Sequence, residues 1–230
     1  DGTLFPYTTL SDLLYGIVGS YTFYNYGQDP STRSASDASS TITLDGRLGF
    51  GEVDYDGSYM DGTPLSTDGV DDFLFDVRLL WGREWPTARL ANAVYGGLGY
   101  RYLNDDSSSQ PGGYERESNY LYVPLGTRKD FVLTDRWSLS LRGEFDVLII
   151  GRQISHLSDA DPGLPDVRNW QWPGFGAGLS VDLRHTSRRV DLALSPFVRY
   201  WWVDESSVSD GYYEPENNTV EYGLSFVVQF

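Results

Sequence analysis

The chain has 230 residues, a formal net charge of −16 and a mean hydropathy of −0.37, yet aromatic residues make up 15% of it. The acidic charge excludes nucleic acid as a partner, because phosphate binding requires clustered Lys and Arg. The absence of cysteine excludes disulfides and thiolate metal sites. No run approaches the ~20 apolar residues of a membrane-spanning helix. Abundant glycine and aromatics instead favour β-strands that place aromatic side chains at two water–lipid interfaces.

The first ten residues, DGTLFPYTTL, resemble a translated sequencing adapter. We therefore treat residues 1–10 as a doubtful N-terminal segment and predict a single domain over residues 11–230. The alternative is that residues 1–10 are an authentic periplasmic or loop segment.

Apolar and polar residues alternate with a period of two along most of the chain, which predicts β-strands. In residues 137–149 the odd positions include Leu139, Leu141 and Phe145, whereas the even positions include Arg142 and Glu144. The pattern predicts nine strands, at about 13–26, 40–58, 73–81, 90–104, 117–130, 137–149, 175–183, 190–202 and 220–230. Strands of soluble sheets average ~5–6 residues, whereas a tilted membrane strand needs ~9–11. The predicted lengths favour a membrane barrel.

The connections between these strands alternate in length. Short connections at 84–89, 132–135 and 185–189 alternate with long polar ones at 59–68, 105–116, 155–169 and 204–218. Short periplasmic turns and long external loops are typical of outer-membrane barrels. Residues 27–39 break the rule and are interpreted as an insertion in a periplasmic turn.

The C-terminal strand carries Tyr222, Phe226 and Phe230 on one face. Chains that end in this way resemble bacterial outer-membrane proteins, whose terminal aromatic strand is an assembly signal read by the barrel-assembly machinery. This resemblance places Phe230 on the periplasmic side. A closed bacterial barrel has an even number of strands, so nine strands predict a ten-stranded barrel whose first strand is missing or altered. Eight strands, with residues 1–39 outside the wall, is the alternative.

Several segments resemble those of proteobacterial outer-membrane β-barrel proteins of the porin-like kind, over about residues 12–230. The segments are GRLGFG at 46–51, VDYDG at 53–57, DGTP at 61–64, GVDD at 69–72, GGLGYRYLNDD at 96–106, GYERESNY at 113–120 and YEPENNT at 213–219. The resemblance implies an all-β, antiparallel transmembrane barrel in the outer membrane of a Gram-negative bacterium. It implies outer-membrane lipid and lipopolysaccharide as surroundings, and no activity.

Six acidic and six basic residues have the strand parity that points into such a barrel. They are Asp45, Arg47, Asp76, Arg78, Arg101, Arg128, Arg142, Glu144, Asp146, Asp182, Arg199 and Glu221. A barrel of eight to ten strands has an interior only just wide enough for side chains, and an unpaired buried ion is costly. We expect a lumen charge network that closes the barrel, and the alternative is a narrow polar conduit lined by these charges.

Carboxylates are concentrated at the predicted outer rim. They are Asp54, Asp56, Asp61, Asp68, Asp71, Asp72, Asp105, Asp106, Asp159, Asp161, Asp204, Glu205 and Asp210. Their spacing matches no EF-hand, so no dedicated metal site and no cofactor are predicted. We expect solvated loop charges that also hold loosely bound divalent cations against lipopolysaccharide phosphates.

His156 is the one residue with a candidate catalytic role. An omptin-like protease would pair a rim His with carboxylates such as Asp71 and Asp72, and a lipid A deacylase would use a Ser beside a His, as in Ser155 and His156. The sequence motifs of both families are missing here. We therefore predict no enzyme, with a rim-active hydrolase as the alternative. The predicted function is a small outer-membrane protein, structural or weakly pore-forming, whose acidic external loops form an interaction surface.

Overall fold

The computed structural model describes residues 5–7, 14–25, 38–58, 64–86, 90–188, 190–209 and 211–229. These ranges form eleven β-strands and one short helix. They are β1 (Phe5–Tyr7), β2 (Tyr15–Asn25), β3 (Ser39–Ser58), β4 (Pro64–Pro86), β5 (Leu90–Asp106), β6 (Glu115–Val132), β7 (Trp137–Ser155), α1 (Leu157–Ala160), β8 (Val167–Gln171), β9 (Gly174–His185), β10 (Asp191–Val203) and β11 (Asn217–Gln229). Among the described residues no helix has the length and apolarity to cross a membrane.

All the strands belong to one antiparallel sheet, in which β3 to β7 and then β9 to β11 follow each other as sequential neighbours. Strands β1 and β2 both pair with the same edge of β3, and β8 and β9 both pair with β7. The eleven strands therefore occupy nine positions, and the sheet curls into a half-barrel. The predicted all-β antiparallel fold is confirmed at this level.

The observed strands follow the period-two pattern closely but extend further in places. Strand β4 covers 23 residues and β7 covers 19, so both continue beyond the segments predicted at 73–81 and 137–149. Strand β8 begins at Val167, inside the segment 155–169 that the pattern indicates as a loop, and ends at Gln171. The period-two pattern does not indicate strand ends of polar sequence, because neither face of such a segment is uniformly apolar.

The two faces of the sheet differ in exposure, as β7 shows. Leu141 and Phe145 are 41% and 47% exposed on the outer face, whereas Ser140 and Asp146 are 7% and 3% exposed on the inner face. A register shift between Leu121 and Tyr122 of β6 leaves Ile149 of β7 as an extra residue without a partner in β6. Such a bulge reverses the alternation beyond it.

The edges of the sheet run in the same direction. Strand β1 is antiparallel to β3, with Tyr7 opposite Asp56, so β1 continues the edge formed by β2. It is not an additional strand of opposite direction before β2. In the described part of the chain, β2 and β11 have no pairing with each other. The predicted insertion at 27–39 lies mostly outside the described residues.

Candidate functional site

The inner face carries a network of ion pairs whose first centre is Arg78 of β4. Its guanidinium donates to Asp45 at 2.9 Å and to Glu144 at 2.5 Å. Glu144 also accepts a hydrogen bond from the Tyr95 hydroxyl at 2.8 Å. Because β4 and β7 are three positions apart in the sheet, the Arg78–Glu144 pair shows that the curled inner face brings distant strands into contact.

A second centre is formed by Asp76 and Glu221. Arg47 donates to Glu221 at 2.8 Å, and Arg101 also donates to Glu221. The Asp76 carboxylate lies 3.8 Å from Arg101 and 3.6 Å from Arg199. These contacts connect β11 across the interior to β3 and β5, so the last strand approaches the first ones through side chains.

The network includes nine of the twelve predicted lumen charges. They are Asp45, Arg47, Asp76, Arg78, Arg101, Arg142, Glu144, Arg199 and Glu221. Asp146 is 3% exposed beside it, and one of its carboxylate oxygens has no hydrogen-bond partner among the described groups. Asp182 makes no ion pair within the described residues.

Arg128 lies apart from the network. It pairs with Glu84 at 2.9 Å and with Asp130 at 3.0 Å, near the end where short turns connect the strands. The sequence analysis did not select Glu84 or Asp130. Their even positions in β4 and β6 match those of Arg78 and Arg128, so extending the alternation to the strand ends would have found them.

Glycines on the inner face make room for these large side chains. A Cβ atom at Gly176 would lie 2.9 Å from the carboxylate of Asp146 and 2.9 Å from the indole of Trp201. Cβ atoms at Gly99 and Gly126 would overlap the rings of Tyr122 and Tyr95. Small residues at these positions therefore permit close packing inside the half-barrel.

An apolar and aromatic layer lies on the same inner face, between the ion-pair network and the end of the sheet that carries the long connections. Tyr120, Tyr122, Trp201, Leu148 and Val203 are at most 3% exposed. The rings of Tyr122 and Trp201 meet edge-on at 5.1 Å, and the guanidinium of Arg101 lies 5.6 Å from the Trp201 ring. The Tyr122 hydroxyl donates to Asp76 at 2.8 Å. These two contacts join Arg101 and Asp76 of the ion-pair network to the aromatic layer.

The long connection between β10 and β11 folds over the inner face at the end of the sheet that carries the long connections. The Asn169 amide donates to the carbonyls of Ser207 and Tyr212 at 3.1 Å, and Ser155 donates to Glu214 at 3.0 Å. Burial raises the pKa of Glu214, against the opposing charge of Arg116. The sequence shows this segment only as a polar loop.

His156 lies at the outer rim between β7 and α1. Its Nε2 is 2.9 Å from Glu117 and its Nδ1 is 3.4 Å from Asp166. Partial burial lowers the pKa of His156, but the hydrogen bonds to these two carboxylates raise it by more. The residues beside His156 are therefore carboxylates that the sequence analysis did not select.

The residues proposed to assist His156 lie elsewhere. The register aligns Asp71 with Asp106 and Asp106 with Glu115, whose carbonyl accepts from the His156 backbone N–H. Asp71 is thus level with His156, but β5 and β6 lie between them. The Ser155 hydroxyl donates to Glu214, so it is not activated by His156.

The rim carboxylates are only partly gathered together. Asp71, Asp72 and Asp106 line an open groove of about 400 Å³ together with Phe50, Glu52, Phe73 and Asn104. Asp105 instead pairs with Arg116 at 2.9 Å. Among the described residues no group of three or more His, Asp or Glu side chains is arranged to hold a metal ion. The side chains of Asp54 and Asp56, and all of Asp61 and Asp210, lie outside the described residues.

Two of the three residues of the predicted assembly signal lie on the outer face of β11. Tyr222 is 72% exposed and Phe226 is 66% exposed, opposite Val198 and Leu194 of β10. Phe230 lies outside the described residues.

Comparison with protein-family models and with curated proteins finds no match to the chain.

Proposed function

We propose that the protein spans a bacterial outer membrane as a β-barrel with a filled lumen. In this proposal it is a structural protein that presents acidic loops and a rim as an interaction surface. The observation that carries the proposal is the contrast between the two faces of the sheet. The outer face is apolar and exposed, and the inner face is charged and packed.

The apolar residues of the outer face are adjacent across the strands. Leu79 lies opposite Leu98, and they are 40% and 47% exposed. Leu141 and Val181 are paired, as are Val198 and Tyr222, and all four are exposed. Soluble monomers rarely expose a contiguous apolar patch of more than a few hundred Å². Contact with lipid would bury this surface.

The height of the apolar band fits a bilayer. On β4 the outward residues from Phe73 to Trp81 are all apolar, with Asp71 above them and Arg83 below. Eight residue steps at ~3.3 Å span ~26 Å along the strand, or ~20 Å after a tilt of ~40°. The outward band of known barrels is ~25 Å tall, so the charged residues would lie at the two membrane surfaces.

Aromatic contacts lie at both ends of the band. Phe73 and Tyr102 are 6.3 Å apart at the outer end, and Trp137 and His185 are 4.7 Å apart at the end with short turns. Aromatic girdles at the two interfaces are typical of outer-membrane barrels. The short turns at the second end support an orientation in which β11 descends toward the periplasm.

Closure of the barrel requires one more strand in this proposal. Strands β2 and β11 run in the same direction, so an antiparallel strand between them would complete ten positions. Strand β2 is exposed along nearly its whole length, with Ile17 at 66% on one face and Val18 at 45% on the other. An edge strand with apolar residues on both faces is unfavourable in water. The missing or altered first strand predicted from the sequence would cover it.

The packed interior favours a structural role over an open pore. The ion-pair network and the layer around Trp201 fill the inner face, and open channels use wider barrels of ~16–18 strands.

The acidic rim is the part of the proposal that concerns partners. Its carboxylates would hold loosely bound divalent cations against lipopolysaccharide phosphates, and assembly would depend on the barrel-assembly machinery.

Reconstitution into planar bilayers tests the filled lumen. The protein is expected to insert, to migrate as a compact band until heated, and to give no steady ohmic steps of porin size. Regular conductance steps of porin size would contradict the structural role and would favour a conduit. A protein that stays monomeric in buffer without detergent would contradict the membrane location itself.

A further inference from the structure

We propose that Arg152 and Arg168, here called the arginine pair, bind a phosphate group of a lipid in the outer leaflet. The pair lies on the outward face of the sheet, at the end that carries the long connections. The inference rests on the proposed function in one respect, which is that this face lies against lipid. It differs from the bridging by rim carboxylates, because a direct contact between arginine and phosphate requires no divalent cation.

The arginine pair belongs to two neighbouring strands and to one face of the sheet. Arg152 of β7 is opposite Trp170 of β8, and Ile154 is opposite Arg168. In β8 Arg168 and Trp170 are exposed, whereas the three residues that alternate with them are buried. Diagonal neighbours of this kind in an antiparallel pair are about 7–8 Å apart, which is within reach of long side chains. Two guanidinium groups can therefore approach one phosphate.

The level of the pair along β7 matches the headgroup region of a bilayer. Phe145, Val147 and Ile150 are exposed on the outward face, and Arg152 is the first charged residue beyond them. Two residue steps at ~3.3 Å, with a tilt of ~40°, place Arg152 about 5 Å above Ile150. The exposed indole of Trp170 is opposite Arg152, and Trp is enriched at membrane interfaces. In the proposed orientation, lipid phosphates surround the protein at this level.

Neither arginine has an ion-pair partner within the part of the chain that the structure describes, although two carboxylates lie close along the strands. Glu117 of β6 is opposite Ile154, and its carboxylate is 2.9 Å from Nε2 of His156. Asp166 lies 3.4 Å from Nδ1 of His156 and accepts from the Ser158 hydroxyl at 2.7 Å. Both carboxylates are thus engaged by other donors. An anion from outside the protein would supply the charge that the pair lacks.

A further donor without an acceptor lies beside Arg152. Asn119 of β6 is opposite Arg152, and its Oδ1 accepts from the Tyr100 hydroxyl at 2.7 Å. The Nδ2 of Asn119 is buried and has no acceptor among the described groups. Buried donors are rarely left without an acceptor. A phosphate oxygen held by Arg152 would provide one.

The outward face at the same end is otherwise acidic on the far side of the sheet. Glu52, Asp71 and Asp106 are opposite one another on β3, β4 and β5. Among the described residues, no other arginine or lysine lies on the outward face at this end. The acidic row repels a phosphate and the arginine pair attracts it, so the charge pattern selects one position for the lipid.

Native mass spectrometry of the folded, delipidated protein in detergent measures this binding, with and without EDTA. The probe is lipid A, an acylated disaccharide that carries phosphates, and the matched probe is the same lipid without its phosphates. Inorganic phosphate is the soluble competitor. We expect the wild type to retain lipid A in EDTA and to bind the phosphate-free lipid at least about tenfold more weakly. Inorganic phosphate should displace lipid A only in large excess.

Removing both guanidinium groups tests the assignment of the residues. Arg152→Gln combined with Arg168→Gln should weaken lipid A binding at least about tenfold, because each arginine supplies charge-assisted hydrogen bonds. The matched control is Arg83→Gln, which removes an exposed arginine 5.8 Å from the Trp85 ring at the end with short turns. This variant should bind lipid A as the wild type does.

Several results would overturn the site. They are equal retention of lipid A by the wild type and the double variant, equal binding of the phosphate-free lipid, and loss of binding in EDTA. Displacement by an equal concentration of inorganic phosphate would indicate a site for free phosphate and would also contradict the lipid assignment. Failure of the wild type to form the compact, heat-sensitive band in detergent would instead count against the proposed barrel, so the two failures are distinguishable.

Discussion

Removing the Glu144 carboxylate tests whether the ion-pair network holds the barrel together. Glu144 accepts from Arg78 at 2.5 Å and from the Tyr95 hydroxyl at 2.8 Å, and it lies 3.6 Å from Arg199. Its side chain is 4% exposed, so water cannot replace it readily. Glu144→Ala would leave Arg78 with Asp45 alone and Tyr95 without its acceptor. Breaking a buried pair in this way costs ~3–5 kcal/mol.

Urea titration of the folded protein in detergent measures this loss, with electrophoretic mobility before and after heating as the readout. Asp182→Ala is the matched control, because Asp182 is a half-buried inward acid without an ion pair among the described residues. It should cost less than ~1 kcal/mol. If Glu144→Ala and Asp182→Ala shift the unfolding midpoint equally, the network does not stabilise the fold.

Three further predictions concern topology, the lipid face and the inner packing. Proteinase K added to intact cells should cut within 107–114 and spare 133–136, and cleavage at the second site alone would invert the orientation. Leu224→Arg, on the 64% exposed outer side of β11, should cost ~2–4 kcal/mol in a reversible folding titration. The adjacent inward Ser225→Arg should cost less, and equal costs would mean that the faces are not lipid and lumen. Gly176→Val should lower the melting temperature of the compact band, because its Cβ would lie 2.9 Å from neighbouring side chains, and an unchanged melting temperature would show that the interior can yield.

The strands were predictable because period-two alternation depends only on local sequence and on two different environments. Such alternation locates β7 and assigns opposite faces to Leu141 and Arg142. The bulge at Ile149 was not predictable, since Leu148, Ile149 and Ile150 are all apolar and no polar residue marks the extra position. The bulge reverses the parity beyond it and turns Ser155 inward, where it contacts Glu214.

The partners of each inward charge were also beyond sequence reasoning. Strand parity indicates that Arg78 and Glu144 share a face, but they contact each other only because the sheet curls across three strand positions. The position of the connection between β10 and β11 depends on tertiary hydrogen bonds from Asn169 and Gln171, and a polar loop sequence gives no sign of where it folds. Both features arise from contacts between segments far apart in the chain.

The central claim is that the outer face of the sheet lies against lipid, and lipid quenching of a single fluorophore measures this most directly. A thiol-reactive fluorophore on Leu179→Cys, whose native side chain is 65% exposed on the outer face, should be quenched strongly by brominated lipid tails in reconstituted vesicles. The same fluorophore on the neighbouring Ser180→Cys, which has the inward parity of β9, should be quenched weakly. Equal quenching at the two positions, or none at Leu179→Cys, would contradict the membrane-spanning barrel.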